Sequence, residues 1–578
     1  MKSKKRQVSK GVDSRQAPES STRLYIYALA AAALIAAWWA YSPVFNGPFL
    51  FDDTVFPFAR PDLTVPPLSW WLHEGRPMVM LTFWLNTSLS GHDPFSFHLL
   101  NLGFHLVTTG LVFLIVRRLL EWSNAPEAKR DPVAAVAAAI FLLHPGQSEA
   151  VAYVVGRFEV VSVMLVFAAF ALFLYRPKPK VSWATSIGVL ALFGFALLSK
   201  EHTVVLPALL LLTDYWWNPG FSLKGIRENW RIYSLMAVSA LAGVALFWRL
   251  ILNSPSAGFG LKDLHWYEYL FTQFRAIFIY LGMFVLPIHL NADWSFPLSR
   301  TLFDRGSIFG LAVLAALIAA AWHYRRRFPL AVYGFFLFLL LMAPTSSILP
   351  IKDPVAERRI YFSMIGLLLI LAEVLIRIKI EQRVLTWCCV GVALLAAVET
   401  HARAQVWSNP VSLWEDTAAK SPDKPRVHQQ LAQAYYDAQR PDLAIPEFEK
   451  SAKLEKPDYN MLMNWGLSYH RLNQFDAALA KFREAAALEP TAHVYSQIGM
   501  IYVQLHKRDD ALEALATAQK LDPGWAPTYN YRAKLYFQAD EVAEAVAQYR
   551  QALLRDPHLI DAQEELGRAE ALLRTRAR

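Results

Sequence analysis

The stretch "NMLMNWGLSYHRLNQFDAALAKFREAAALEP", Asn460 to Pro490, places Leu462, Trp465, Gly466, Tyr469, Ala478, Phe482, Ala485 and Pro490 at spacings that alternate small and large residues. The pattern returns on both sides. Ala432, Tyr435, Ala444 and Phe448 precede it; Gly499, Tyr502, Ala511 and Pro523 follow, then Ala533, Tyr536, Ala545, Tyr549, Ala552 and Pro557. Small residues at these positions let paired helices approach, and the aromatic residues fill the gaps between them.

These are the anchor spacings of a tetratricopeptide repeat, a helix pair of about 34 residues. They predict about four repeats over residues 425–557, stacked into one continuous core. "HLIDAQEELGRAEALLRTRAR", 558–578, reads as a polar capping helix, and 401–424 as a helix connecting the solenoid to what lies before it. A concave repeat surface suits an extended protein segment, but the anchors are structural and name no ligand.

Upstream the character changes. The 578-residue chain is 55% hydrophobic, and apolar runs begin near Leu24, Ser96, Pro132, Phe158, Ser182, Thr203, Ile232, Trp266, Ser307, Pro329, Tyr361 and Val384. Crossing a hydrocarbon core of about 30 Å takes roughly 20 helical residues. Residues 24–400 therefore read as a multi-spanning membrane domain, which makes the whole chain all-α. The run "PVAAVAAAIFLLHP" turns polar at His144, as expected of a helix ending early at a buried site. Cys388 and Cys389 are neighbours in an apolar run and supply neither a disulfide framework nor a zinc site.

Charge orients these elements. From His401 onward there are 22 Lys+Arg against 24 Asp+Glu, so the net charge of +9 belongs to the membrane half. Basic loops at a membrane surface explain that excess without nucleic acid. Residues 1–23 read as a basic cytoplasmic tail before a retained first helix. Arg117, Arg118, Lys129 and Arg130, then Arg176, Lys178 and Lys180, then Lys224, Arg227 and Arg231, fall at alternate turns, which are expected to be cytoplasmic. The first loop, about 45–95, then lies on the other side, with "HPGQSEAVAYVVGRFE" and "LLSKEHT". Keeping Arg325 to Arg327 inside requires one re-entrant or interfacial element between Ile232 and Asn291, for which "LKDLHWYEYLFTQFRA" is the amphipathic candidate. "SSILPIKDPVAERRIYF" and the repeats then share the outer side.

The first loop opens on "NGPFLFDDTVFPFARPD", Asn46 to Asp62, in which Asp52 and Asp53 stand among aromatic residues, ahead of Trp70, Trp71, Arg76 and Pro77. Together with "LLHPGQSEAVAYVVGRFE", "LLSKEH" and "PTSSILPIKDPVAERRIYFSMIGL", in that order, and a repeat-containing tail, this resembles the transmembrane-and-tetratricopeptide O-mannosyltransferase family. That family is related to protein O-mannosyltransferases and to the wider GT-C superfamily, which takes sugar from a lipid phosphate. The resemblance covers nearly the whole chain from about Leu24. It implies a GT-C type membrane bundle that moves mannose or a related hexose from a polyprenyl-phosphate carrier to a hydroxyl acceptor on the outer or luminal face. The partners it implies are the lipid carrier and, at the repeats, an acceptor or partner protein. The membrane is expected to be a bacterial inner membrane, favoured by the Ala/Leu/Arg-rich composition, or that of the endoplasmic reticulum.

An inverting transfer needs a base to take the acceptor's hydroxyl proton. By the resemblance Asp52 is that base, and Asp53 orients the acceptor or the loop. The leaving phosphate needs cations, and the forked guanidinium matches its oxygens. Arg157, Arg358, Arg359 and Lys200 are the candidates, with Arg76, His144, Glu149 and Glu201 as further site residues. Each cation also has a structural reading: Arg157 in a salt bridge with Glu159 or Glu149, Lys200 in an exposed pair with Glu201, and Arg358 with Arg359 as a loop anchor. No cofactor is expected beyond the lipid-linked sugar. A divalent ion would draw on Asp53, His144 and Glu149, but the one imidazole and one carboxylate of His144 and Glu149 fall short of a site and Pro145 breaks their helical spacing. His98, Asn101 and His105 share a helix face suited to interhelical hydrogen bonds. Two rival readings are a membrane scaffold anchoring the repeats, and a transporter of lipid-linked sugar. One helix would suffice for an anchor, and a transporter would show inverted-repeat symmetry that is not seen.

Overall fold

The computed structural model describes residues 19–61, 64–177, 179–252 and 257–577; the expected basic tail lies mostly outside them. Over these residues the chain is helical, and one isolated antiparallel bridge, Ala257 with Ile351, is the β pairing among them. It divides into two units: residues to Asn409 without Asp293–Ser295, and Pro410–Arg578 together with Asp293–Ser295.

In the first unit five helices are long and apolar enough to cross a bilayer: Pro94–Trp122, Arg157–Leu174, Asp304–Tyr324, Arg359–Arg377 and Arg383–Val406. Ala30–Val44, Trp183–Leu197 and Pro329–Met342 are shorter apolar helices. The chain is a multi-pass membrane protein. Trp230–Leu252 and Trp266–Val285 are both continuous helices; the stretch expected to be re-entrant or interfacial, 261–276, leads into and forms the first half of the second, which is not among those five. The helix Glu127–Leu143 stops at His144 as its sequence requires: Pro145 to Gln147 form a buried turn, and Ser148–Ala152 starts a new, short and wholly buried helix.

Two packing features fix this unit. Helices Pro329–Met342 and Arg359–Arg377 approach at paired glycines. A Cβ on Gly334 would stand 2.4 Å from the carbonyl oxygen of Gly366, and one on Gly366 2.5 Å from that of Gly334, so nothing larger fits at either position. Arg176, read from the sequence as a surface charge of a basic turn, is instead 2% exposed. It is ion-paired with buried Asp214, whose Oδ2 also accepts from Asn229 at 2.8 Å and Tyr233 at 2.6 Å. A charge withdrawn from water must be paired, and this network pairs it.

The second unit follows its anchors. Helix pairs Pro425–Asp437 with Pro441–Leu454, Tyr459–Arg471 with Phe475–Leu488, Ala492–Gln504 with Arg508–Leu521, and Ala526–Gln538 with Val542–Arg555 make four repeats, closed by Ile560–Ala577. Gln439, Asn473, His506 and Asp540 all sit at positive φ, one in the tight turn of each pair, 34, 33 and 34 residues apart. A Cβ on Gly466 would stand 2.6 Å from the Phe482 ring, and one on Gly499 2.6 Å from Leu515, which is the close approach the small anchors provide. Ala444, Phe448, Ala478, Phe482, Ala485, Ala511, Ala533, Ala545, Tyr549 and Ala552 are fully buried. The expected connecting helix is two helices: Gln382–Val406 runs past residue 400, and Pro410–Lys420 already packs on the first repeat.

Candidate functional site

The first loop is pinned by its aromatic row. Phe58, Trp71, Val79, Phe83, Phe97, Val154, Phe158 and Val161 form one buried cluster, with Phe49 and Phe56 packed against it. The rings of Phe58 and Phe83 lie 4.8 Å apart, those of Phe58 and Phe97 5.0 Å. Burial of several aromatic rings holds a short loop that has little regular backbone structure of its own.

The two acids then part company. Asp53 is 1% exposed, and its carboxylate is taken up by backbone: Oδ2 accepts the Leu50 N–H at 3.0 Å and Oδ1 the Val155 N–H at 2.8 Å. Burial pushes its pKa up to about 8, against the downward pull of those two N–H groups. Asp53 thus ties the loop to the segment that follows Tyr153. Asp52 is exposed, and its backbone N–H donates to the Tyr153 hydroxyl at 2.8 Å. Neighbouring carboxylates in such different surroundings are suited to different tasks.

The neighbouring polar segments carry three cations, each beside a carboxylate. Arg358 is ion-paired with Glu149 and also donates its backbone N–H to Glu149 Oε2 at 2.8 Å; its side chain is 40% exposed. Lys200 is ion-paired with Glu159, which also faces His202 Nε2 at 3.3 Å. Arg76 grips Glu201 with both arms, at 2.9 and 3.0 Å. Burial, and the charges of Arg76 and Arg358, hold the Lys200 ammonium below its ordinary value against the pull of Glu159. The four segments singled out in the sequence therefore meet at one place.

Several pairings differ from those expected. Lys200 does not pair with Glu201, nor Arg157 with Glu159 or Glu149. Arg157 is fully buried, with Nε donating to Asn101 at 2.7 Å and Nη2 to Asn86 at 2.9 Å and to the Phe97 carbonyl at 3.0 Å, and with the guanidinium 4.4 Å from the centre of the Phe83 ring. Its donors are spent on the protein. Arg359 is likewise committed, to the carbonyls of Asp353 at 2.6 Å and Pro354 at 2.8 Å. Of the arginines named from the sequence for a phosphate, Arg358 is the one with an exposed guanidinium. His144 turns to the Phe284 carbonyl at 3.1 Å and accepts from Gly146, away from Glu149; among the described residues no three His, Cys, Asp or Glu side chains gather as a metal site. Asn101 and His105 hydrogen-bond between helices as expected, Asn101 to Arg157 and to the Tyr153 carbonyl, His105 to the Tyr361 hydroxyl. Sequence reasoning missed Tyr153, which stands inside a quoted motif, and Trp407, whose ring packs against it at 5.7 Å.

The protein O-mannosyl-transferase TMTC3 of Mus musculus is 23% identical over 542 residues, which cover 84% of this chain and 57% of that protein. The human TMTC3 is likewise 23% identical, over 541 residues. The chain is similar to the TMTC protein O-mannosyl-transferases over most of its length. A third TMTC relative, the protein O-mannosyl-transferase Tmtc1 of Drosophila melanogaster, is 29% identical over 50% of the chain and 37% of its own length. The chain spans little more than half the length of the TMTC3 relatives it matches. The tetratricopeptide repeat model matches residues 425–458 and 492–524. Among solved structures, MamA is similar at 22% identity over 25% of this chain and 86% of its own (TM-score 0.24), and the tetratricopeptide protein TTC0263 of Thermus thermophilus at 22% over 32% and 96% (TM-score 0.25).

Proposed function

We propose that the chain is a membrane glycosyltransferase that moves mannose or a related hexose from a polyprenyl-phosphate carrier to a hydroxyl on a protein. The observation that supports this most is an exposed carboxylate, Asp52, on a loop that buried Asp53 ties to the segment 149–159, whose Glu149 and Glu159 hold the cations Arg358 and Lys200. A base and a cationic partner for a leaving phosphate are the two requirements of such a transfer, and the names of the TMTC relatives point the same way.

In this reading Asp52 takes the proton of the acceptor hydroxyl as its oxygen attacks the anomeric carbon. The bond from that carbon to the phosphate oxygen breaks, and its electron pair leaves on the phosphate. Arg358 meets that charge, with Lys200 and Arg76 behind it. A donor whose lipid stays in the bilayer must present its phosphate at the membrane surface, which is why the acidic loop follows directly on the first apolar helix. The site faces the outer or luminal side, and the repeats bind the acceptor or a partner protein. Full-length protein in lipid nanodiscs, given polyprenyl-phosphate mannose and a protein extract, should label protein hydroxyls; a nucleotide sugar that labels equally well without any lipid donor would overturn the reading.

A further inference from the structure

Tyr153 and Trp407 each bury a hydrogen-bond donor that the described protein does not use. The Tyr153 side chain is 4% exposed, and its oxygen accepts from the Asp52 backbone, but its own proton has no acceptor among the described residues. Trp407 is 3% exposed, and its indole N–H has no partner among them either. Their rings pack at 5.7 Å with 31° between planes. Buried donors are satisfied in the great majority of cases, so two unused ones side by side point to an absent acceptor.

The surroundings say which acceptor. Tyr153 caps the short helix Ser148–Ala152, whose Glu149 holds Arg358, and it also carries the Asp52 backbone, so this pair lies where the acidic loop meets the segment that holds the half-exposed guanidinium. A sugar hydroxyl offers a proton as well as lone pairs, whereas a phosphate oxygen only accepts. Two neutral donors beside a guanidinium match a group that only accepts, carries negative charge and gains more as its ester bond breaks. We infer that Tyr153 and Trp407 form, with Arg358, the subsite for the phosphate of the lipid carrier. This rests on the donor class proposed above. The phenol and indole protons stay where they are: they hydrogen-bond the phosphate oxygen that receives the electron pair, while the acceptor's proton goes to Asp52.

The test is equilibrium binding of radiolabelled polyprenyl monophosphate to the full chain in nanodiscs, with Tyr153→Phe and Trp407→Phe. Each variant keeps an aromatic ring and loses one donor, Trp407→Phe also losing volume, which the uncharged polyprenol controls for. Each should raise Kd roughly tenfold or more, the usual effect of deleting one hydrogen bond to a charged group, and leave binding of the uncharged polyprenol of equal length unchanged. Polyprenyl monophosphate binding that is unaltered in both variants would overturn the subsite and leave the donor class standing. An equal loss for the polyprenol would also overturn it, because the effect would not belong to the phosphate. Wild-type protein that binds no polyprenyl monophosphate would overturn the donor class, and the subsite with it.

Discussion

The backbone N–H of Asp52 rests on the hydroxyl of Tyr153, 101 residues further along the chain and 2.8 Å away. With Asp53 bound to Val155 two residues later, the loop is fixed at two adjacent points, and the Asp52 carboxylate is held out to solvent. Asp52→Asn keeps size and that backbone contact but removes the proposed base. Transfer should fall by about 10²- to 10⁴-fold, while polyprenyl monophosphate still binds. Full activity in Asp52→Asn, and again in the double variant with Asp53→Asn, would show that this loop holds no base.

Asp53 should mark stability against pH. Its folded value of about 8 lies above the unfolded value of 3.8, so the folded state binds more protons than the unfolded one between those limits. Stability from this group is fully present below pH 4 and is lost as pH rises toward 8. Asp53→Asn lacks that slope. The difference in melting temperature between wild type and Asp53→Asn, measured in detergent from pH 5 to 8, should shrink with rising pH; a constant difference would place the Asp53 carboxyl in an ordinary environment.

Arg157→Lys keeps a charge but cannot reach Asn101, Asn86 and the Phe97 carbonyl together. With acceptors left unpaired in a dry site, the cost is about 2–4 kcal/mol of stability. Arg358→Gln should weaken binding of the lipid phosphate and also lower the melting temperature, because buried Glu149 loses its ion-pair partner. An Arg157→Lys protein that melts normally but loses lipid phosphate binding would restore to Arg157 the role its sequence position first suggested.

The repeat domain is expected to fold alone as residues 410–578. Trp465, 6% exposed and stacked between Phe448 and Tyr469, should cost about 3–5 kcal/mol when replaced by alanine. Gly466→Ala should cost about 1–3 kcal/mol, because its Cβ meets the Phe482 ring. Circular-dichroism melts of the fragment decide both, and an unchanged melting point for either would contradict the helix register.

Topology is testable with single cysteines at Thr54 and Asn473, in a background lacking Cys388 and Cys389. An impermeant thiol reagent on intact cells should label both. Labelling of Thr54 without Asn473 would place the repeats in the cytoplasm and remove them from acceptor presentation.

The repeats were legible because their information is local: small residues at fixed spacing dictate where two helices touch, and the structure buries Ala478, Phe482 and Ala485 where the spacing puts them. The meeting of the four polar segments was legible from motif order and charge. The partners within it were not. Reading Lys200 with Glu201 and Arg157 with Glu159 assumed that sequence neighbours pair, but residues one or two apart do not face each other on a helix. Their partners came from other helices instead: Glu159 for Lys200, Arg76 for Glu201, and Asn86 with Asn101 for Arg157. Trp407 escaped notice because 401–424 read as a connection, whereas the spanning helix reaches Val406 and delivers the indole to Tyr153.

The contact of Gly334 with Gly366 has a consequence for depth. Two helices touching backbone to backbone cannot slide past each other, and the second of them begins at Arg359, next to Arg358. The height of the Arg358 guanidinium along the membrane normal is therefore set by the hairpin as a whole. In a thinner or thicker bilayer the pair would tilt as one body, carrying the cation with it.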